Sequence, residues 1–235
     1  MRVRLLAVDV DGTLTEERGS YRLSMDAVLA IRELVSRGIS VVLATGNNYQ
    51  IADALTRYLG ANWPAIAENG CLLVDRGRVE SLCSGRPPRE LVEAIKSHGL
   101  IEGWQNPCRL HDLEFTTPDR AALHSAVPLV ERDMEELGWK GRVLVSGYAL
   151  HVQPPGGGKG EALRRLASRM GLGMEEVGAV GDSSSDVDLL LAAGFRAAVG
   201  DADPELKEVA GYVASAPAGR GFAEVARVVV GDRQP

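Results

Sequence analysis

The sequence predicts an α/β fold, a parallel sheet covered by helices, with an α+β unit inserted midway. Three observations carry this. Short apolar runs alternate with helical patterns at both ends of the chain, the rhythm of strand–helix–strand units. That alternation loosens over residues 79–152, where Pro87-Pro88, Pro107 and Pro118 punctuate the chain. The C-terminal part then resumes the first rhythm, so the two ends read as halves of one sheet.

Residues 3–10 are apolar except for Arg4 and Asp9 and read as a buried strand. A loop rich in glycine and charge covers 11–22. Ser24 is placed to cap a helix running to about Arg37, with Ala27, Val28, Ile31, Leu34 and Val35 at helical spacing and Gly38 as its stop. Residues 39–44 form a second strand, 48–59 a helix and 65–67 a short third strand. Within the insert, 91–98 and 121–137 are helical, and 142–145 and 148–152 are strands turned at Ser146-Gly147. Beyond it come a helix over 160–170, a strand over 176–180, a helix over 187–193 and a strand over 196–199. Pro204 opens a helix to 210, 212–214 is a short strand and 222–230 the last helix. The core thus comprises residues 1–78 and 153–235, and the inserted domain 79–152. Gly156-Gly157-Gly158, after Pro154-Pro155, supplies a hinge.

The 235 residues are 45% apolar and 25% charged, ordinary for a globular chain and unlike a disordered or fibrous one. No apolar run approaches the ~20 residues that span a bilayer. The N-terminal apolar run is too short for a signal peptide, and the chain reads as cytoplasmic. A net charge of −6 leaves no footprint for nucleic acid. Cys71, Cys83 and Cys108 are odd in number and widely spaced, which argues for buried or indifferent thiols and against a disulfide framework or structural zinc. His98, His111, His124 and His151 all fall in the insert, so no Ser-His-Asp triad can be assembled in the core.

Chemistry concentrates at strand ends. Asp9-Val10-Asp11-Gly12-Thr13 sets two carboxylates at the end of the first strand, where ligands of open parallel sheets bind. Adjacent acids repel, and a bound cation would relieve that. Thr45-Gly46-Asn47 offers a hydroxyl and backbone N–H groups after the second strand, as a phosphate site or as a plain helix cap. Lys159 follows three glycines and opens a helix, placed as a counter-ion for phosphate or carboxylate. Gly181-Asp182-Ser183-Ser184-Ser185-Asp186 again ends a strand in an acid, with a second acid four residues on. Such oxygen-only donors suit Mg²⁺.

In this order the four motifs resemble the haloacid dehalogenase (HAD) superfamily, whose pattern is DxDGT, then Ser or Thr, then Lys, then GDxxxD. The resemblance covers most of the core, through Gly200-Asp201-Ala202-Asp203-Pro204-Glu205-Leu206-Lys207. Thr45 lies 36 residues after Asp9, and Lys159 lies 114 after Thr45. The insert therefore stands where members with a C2-type cap carry theirs. With Ala67-Glu68-Asn69-Gly70, the whole chain is similar to the archaeal phosphoglycolate phosphatase family of the Cof-like branch. It departs at Ser185, where that branch usually has Asn.

The resemblance implies a Rossmann-like HAD core with a C2-type cap, and Mg²⁺-dependent phosphomonoester hydrolysis through an aspartyl phosphate, most directly on 2-phosphoglycolate. Asp9 would be the nucleophile. Asp11 would protonate the leaving oxygen and then activate water. Asp9, Asp11, Asp182 and Asp186 would form the metal set, Asp11 through its backbone carbonyl and Asp186 as a direct or supporting acid. Thr45, Gly46 and Lys159 would hold the phosphoryl group. A phosphate dianion approaches a carboxylate only where cations neutralise the site, as Mg²⁺ and Lys159 would. A sugar-phosphate phosphatase or a phosphomutase uses the same motifs, and a non-catalytic phospho-ligand binder remains a third class. Arg86, Arg89, Arg109, His111 and Arg142 are the insert's candidates for substrate contact. The implied partner is a small phosphorylated metabolite, with no nucleic acid and no membrane. The oligomeric state stays open, a homodimer included.

Overall fold

Leu5, Leu6, Ala7 and Val8 are all sealed from solvent, which a strand achieves only with layers on both of its faces. The structure, a computed structural model, describes residues 3–119 and 121–231. Met1 and Arg2, at the head of the N-terminal run, lie outside the described residues. In chain order the elements are β1 (Leu5–Val8), α1 (Met25–Ser36), β2 (Ser40–Leu43), α2 (Tyr49–Leu59), β3 (Ala65–Ala67), β4 (Leu72–Asp75), β5 (Arg78–Ser81), α3 (Arg89–Ser97), β6 (Ile101–Glu102), β7 (Leu113–Thr116), α4 (Ala121–Glu136), β8 (Arg142–Val145), β9 (Leu150–Gln153), α5 (Lys159–Arg169), β10 (Val177–Gly181), α6 (Val187–Ala192), β11 (Phe195–Ala198), α7 (Pro204–Val209), β12 (Tyr212–Val213) and α8 (Ala218–Val230).

β1 pairs in parallel with β2 on one side and β10 on the other, within a sheet ordered β12-β11-β10-β1-β2. A parallel bridge between Ala44 and Ile66 ties β3 on beyond β2. The chain steps outward from β1 to β2 in one direction and from β10 to β11 in the other. Right-handed crossovers then put their helices on opposite faces. α1 packs on α8, and α5 on α6. The order reverses between β1 and β10, where a parallel sheet opens a crevice beyond its carboxyl edge.

β3, β4 and β5 form an antiparallel sheet. Arg76 and Gly77 turn the β4–β5 hairpin with φ of 48° and 78°, the two positive angles of a tight hairpin turn. The sequence pattern does not announce this hairpin, because β5 is mostly polar. Its pairing has a consequence. Leu82 N donates to Cys71 O at 2.8 Å, and Cys71 and Cys83 are joined as a disulfide. This corrects the expectation of three separate thiols: Cys108 alone is free, and it is exposed. A hairpin, rather than any motif spacing, brings the pair together.

The insert has its own sheet, β6-β7-β9-β8, entirely antiparallel. β7 sends Leu113 and Phe115 into an apolar cluster with Leu91, Ile95, Leu123 and Val130 of α3 and α4. The main-sheet cluster is separate; it runs to Cys83 and resumes at Ala162. By the alternation of a strand, Glu114 and Thr116 of β7 and His151 of β9 face away from the insert's helices. β6 and β7 carry no clear pattern in the sequence. β9 begins at Leu150 rather than 148, because Ser146 Oγ accepts from Tyr148 N and Ala149 N and holds both in the turn.

Two chain crossings join the insert to the main sheet, and they touch. A Cβ on Gly156, in the returning crossing, would stand 3.2 Å from Leu82 O in the outgoing one. The Cys71–Cys83 bridge lies at the same place and closes a chain interval of 12 residues. Loop closure of this size contributes about 2–3 kcal/mol. Replacing both cysteines by alanine should lower the unfolding free energy in urea by that amount. A wild-type urea midpoint that a strong reductant leaves unmoved would count against the bridge.

Candidate active site

Three strand ends and one helix start converge at the crevice. β1 delivers Asp9, β2 leads to Thr45, β10 delivers Asp182, and Lys159 is the first residue of α5. All four side chains are buried, as is Asp186. Lys159 Nζ stands 2.7 Å from Asp9 Oδ1 and 2.7 Å from Asp186 Oδ1. Asp186 Oδ2 accepts from the backbone N–H groups of Asp182 and Ser183, both at 3.3 Å, so both its oxygens are engaged. Thr13 Oγ1 donates to Asp182 Oδ1 at 3.1 Å. Arg18 Nε lies 2.9 Å from Asp182 Oδ2, and its Nη1 lies 2.8 Å from Asp203 Oδ1. Gly12 has φ +94°, and a Cβ there would sit 2.3 Å from Asp182 Oδ2. Only glycine lets the backbone pass so close to that carboxylate.

Burial first, then the Asp186 charge, pushes Asp9 up to about 7 despite the pull of Lys159. Burial also raises Asp182 well above the usual carboxylate range, reinforced by Asp9 and Asp186. Lys159 moves the other way to its burial: Asp186 and Asp9 outweigh desolvation and hold it above its ordinary value. Oxygens of Asp9, Asp182 and Asp186 lie within 4.8 Å of one another. With Asp11 nearby, acids outnumber the cations Lys159 and Arg18. An all-oxygen set with surplus negative charge fits a hard divalent cation.

Thr45 Oγ1 accepts from Asn47 N at 3.0 Å and from Asn47 Nδ2 at 2.9 Å, which leaves its own proton to donate. Asn47 Nδ2 also donates to Asp11 Oδ2 at 2.6 Å. Burial raises Asp11, and the Asn47 bond only partly offsets it. A cavity of about 130 Å³ is lined by Asp9, Asp11, Asn47 and Lys159, with Gly46 and Ser185; Thr45, Asp182 and Asp186 are not in its lining. Ser185 Oγ is bonded to Ser183 Oγ at 2.6 Å.

The insert closes the cavity with Gln105, Glu114, Tyr148 and His151. None of its expected contact residues lines it. Arg109 is locked to Asp112 at 2.9 Å and Glu114 at 2.6 Å. Arg86 donates to the carbonyls of Arg109 and Asn106. His111 is bonded to Gly85 O and Ser81 Oγ. Arg142 donates to Gln153, and Arg89 is exposed at the start of α3. Sequence reasoning missed His151, Gln105 and Tyr148. Alternation about Leu150 and Val152 was the signal available for His151; the loop bearing Gln105 has no period to read.

Residues 6–96 and 135–225 match the family described as haloacid dehalogenase-like hydrolase. The chain belongs to that family. A protein named phosphoglycolate phosphatase from Aeropyrum pernix is 42% identical to this hydrolase, covering 99% of the chain and 96% of its own length. One of the same name from Metallosphaera sedula is 38% identical, covering 94% and 96%. A crystal structure from Thermoplasma acidophilum superposes with a TM-score of 0.85 at 25% identity, covering 98% of this chain and 99% of that one. The α/β core with a cap is thus the family's own architecture, and no helix among the described residues is long and apolar enough to cross a membrane.

The hydrolase's cap meets its core around one buried acid. Asp112 Oδ1 lies 2.9 Å from His151 Nδ1, and Asp112 Oδ2 accepts from Asn69 Nδ2 at 2.8 Å. Burial would raise this carboxyl, but His151 and Arg109 outweigh it and hold it below the ordinary range. A lowered acid stabilises the fold above its unfolded pKa of ~3.9, and the gain is lost as pH falls through the folded value. Unfolding free energy should therefore fall more steeply below about pH 4 in the wild type than in Asp112→Asn. Equal slopes in acid urea titrations would remove Asp112 from the account.

Proposed function

We propose that this hydrolase cleaves a small phosphate monoester, 2-phosphoglycolate, to glycolate and phosphate, with residues 79–152 as its cap and Mg²⁺ as its cation. The observation that carries the reaction is the buried Asp9 carboxylate, held through Oδ1 by Lys159 at the sheet's reversal point. The near-full-length likeness to proteins named phosphoglycolate phosphatase points to the substrate.

Asp9, Asp182 and the backbone carbonyl of Asp11 would hold the cation, which supplies the positive charge that lets a phosphate dianion approach a carboxylate. Asp186 belongs to the same oxygen cluster and also fixes Lys159 through Oδ1. The Asp9 oxygen not bonded to Lys159 attacks phosphorus. The ester P–O bond breaks, and Asp11 gives its proton to the leaving alkoxide. Asp11 then takes a proton from water, whose oxygen attacks the aspartyl phosphate; phosphate leaves and Asp9 is restored. Thr45 donates its hydroxyl proton, and the Gly46 backbone faces the same phosphoryl oxygens. The 130 Å³ cavity suits a compact ester, and His151 in its lining is the cap's donor for a second anionic group.

Asp9→Asn keeps the side chain's shape and removes the nucleophile. Turnover should fall at least about a hundredfold, with the thermal unfolding midpoint near that of the wild type. Retention of more than a hundredth of kcat would reject the nucleophilic role. For the substrate, kcat/KM should be highest for phosphoglycolate, above ethyl phosphate, which lacks the carboxylate, and above hexose phosphates. Parity with ethyl phosphate, or a hexose phosphate in front, would overturn the assignment.

A further inference from the structure

The amide of Asn47 has every polar atom in use. Nδ2 donates to Asp11 Oδ2 and to Thr45 Oγ1, at 2.6 and 2.9 Å. Oδ1 accepts from Nε2 of Gln105, on the cap, at 2.7 Å. Gln105 Oε1 accepts from the backbone N–H of Asn48 at 2.9 Å. Asn48 is the N-cap of α2, its side chain accepting from Ile51 N. Because a backbone N–H only donates, Gln105 must turn its oxygen to Asn48 and its NH₂ to Asn47. Asn47 must then turn its oxygen to Gln105 and its NH₂ to Asp11. One cap side chain thus decides which end of Asn47 meets Asp11.

Gln105 also moves as the cap moves. It lies in the loop between β6 and β7, and that loop is strapped to β7. Asn106 Nδ2 donates to Glu114 O, and Asn106 Oδ1 accepts from Glu114 N, each at 2.9 Å. The other cap contacts go elsewhere. Glu68 accepts from the backbone N–H groups of Leu110, His111 and Asp112, and Tyr148 meets Gly19 and Ser20. Among the described residues, Gln105 is the cap side chain hydrogen-bonded to the loop that carries Thr45 and Asn47.

From this relay we infer that Gln105 is a positioning residue that couples seating of the cap to alignment of Asp11 as proton donor. The inference rests on the phosphatase reading above and names the device that readies its acid. With the cap seated, Asn47 is pinned and Asp11 Oδ2 is held by an N–H. With the cap lifted, Asn47 loses its orienting donor and can present its oxygen, which accepts the acid's own proton and turns it away from the leaving group. Protonation of a leaving alkoxide is then slow until the cap encloses a substrate. Misplacement of a reacting group by about an ångström costs up to ~10²-fold in rate.

The test compares Gln105→Glu and Gln105→Ala on two esters. Phosphoglycolate leaves as an alkoxide that needs a proton, whereas p-nitrophenyl phosphate leaves as a weakly basic phenolate that does not. Gln105→Glu retains the acceptor for Asn48 N and replaces the donor to Asn47 by a charged acceptor, and Gln105→Ala removes the donor without adding charge. Both variants should lose about 10- to 100-fold in the first-turnover rate of alcohol release from phosphoglycolate with KM within about threefold, and lose a smaller factor on the aryl ester. Asn47→Ala should reproduce that split. Equal losses on both esters, or none on phosphoglycolate, would overturn the relay. Asp11→Asn separates the two levels of argument. If first-turnover release of the alcohol is slowed equally for both esters, the reading of Asp11 as acid fails; if that release shows the split and the Gln105 variants do not, the relay alone fails.

Discussion

A lysine ammonium enclosed by two carboxylates is the constraint on which the rest of this structure depends. Lys159 is 2% exposed, and an unpaired ammonium so deep would lose its charge instead of keeping it. Asp9 and Asp186, each at 2.7 Å, make the charge tenable. The three side chains come from β1, from the start of α5 and from the turn after β10, so the parallel register of β1 with β10 and the docking of α5 are fixed together. Removing Lys159 would leave two buried carboxylates uncompensated, which costs about 3–5 kcal/mol, whereas loss of either acid's charge still leaves the ammonium paired. The core is therefore braced at this point by its own charges.

The cap is organised differently. Its sheet keeps apolar side chains toward α3 and α4 and presents polar ones to the cavity, so it folds about its own cluster and meets the core through hydrogen bonds. Such contacts are individually weak, about 0.5–1.5 kcal/mol each. A unit docked this way separates far more readily than one docked by apolar burial. That difference in adhesion lets the same chain hold a rigid nucleophile site and an openable cover.

What the sequence disclosed follows from this division. The main-sheet strands are buried on both faces, so they read as apolar runs, and an acid at the end of such a run stands out. Asp9 and Asp182 stood out for that reason, and Lys159 by its place after three glycines at a helix start. The cap's working face did not. Arg109 looks like a free cation until Asp112 and Glu114, three and five residues on, are seen to neutralise it. Ile101–Glu102 is too short and too exposed to show a period. The β4–β5 hairpin hides behind a polar second strand, and the Cys71–Cys83 pair was hidden with it. Gln105 and Asn47 matter through the orientation of their amides, a property of partners rather than of residue type.

The disulfide also bears on how the cover can travel. Cys83 begins the outgoing linker, and a Cβ on Gly157, in the returning one, would sit 2.6 Å from Cys83 Sγ and 2.8 Å from Cys71 Sγ. Both tethers are thus anchored side by side against one covalent post on the core. Two short ropes made fast at neighbouring points let a body swing about the line between them, but not slide away. Such anchoring would confine any movement of the cover to an arc with its fulcrum at the sulfur bridge, so that each swing would bring the same rim back onto the same loop.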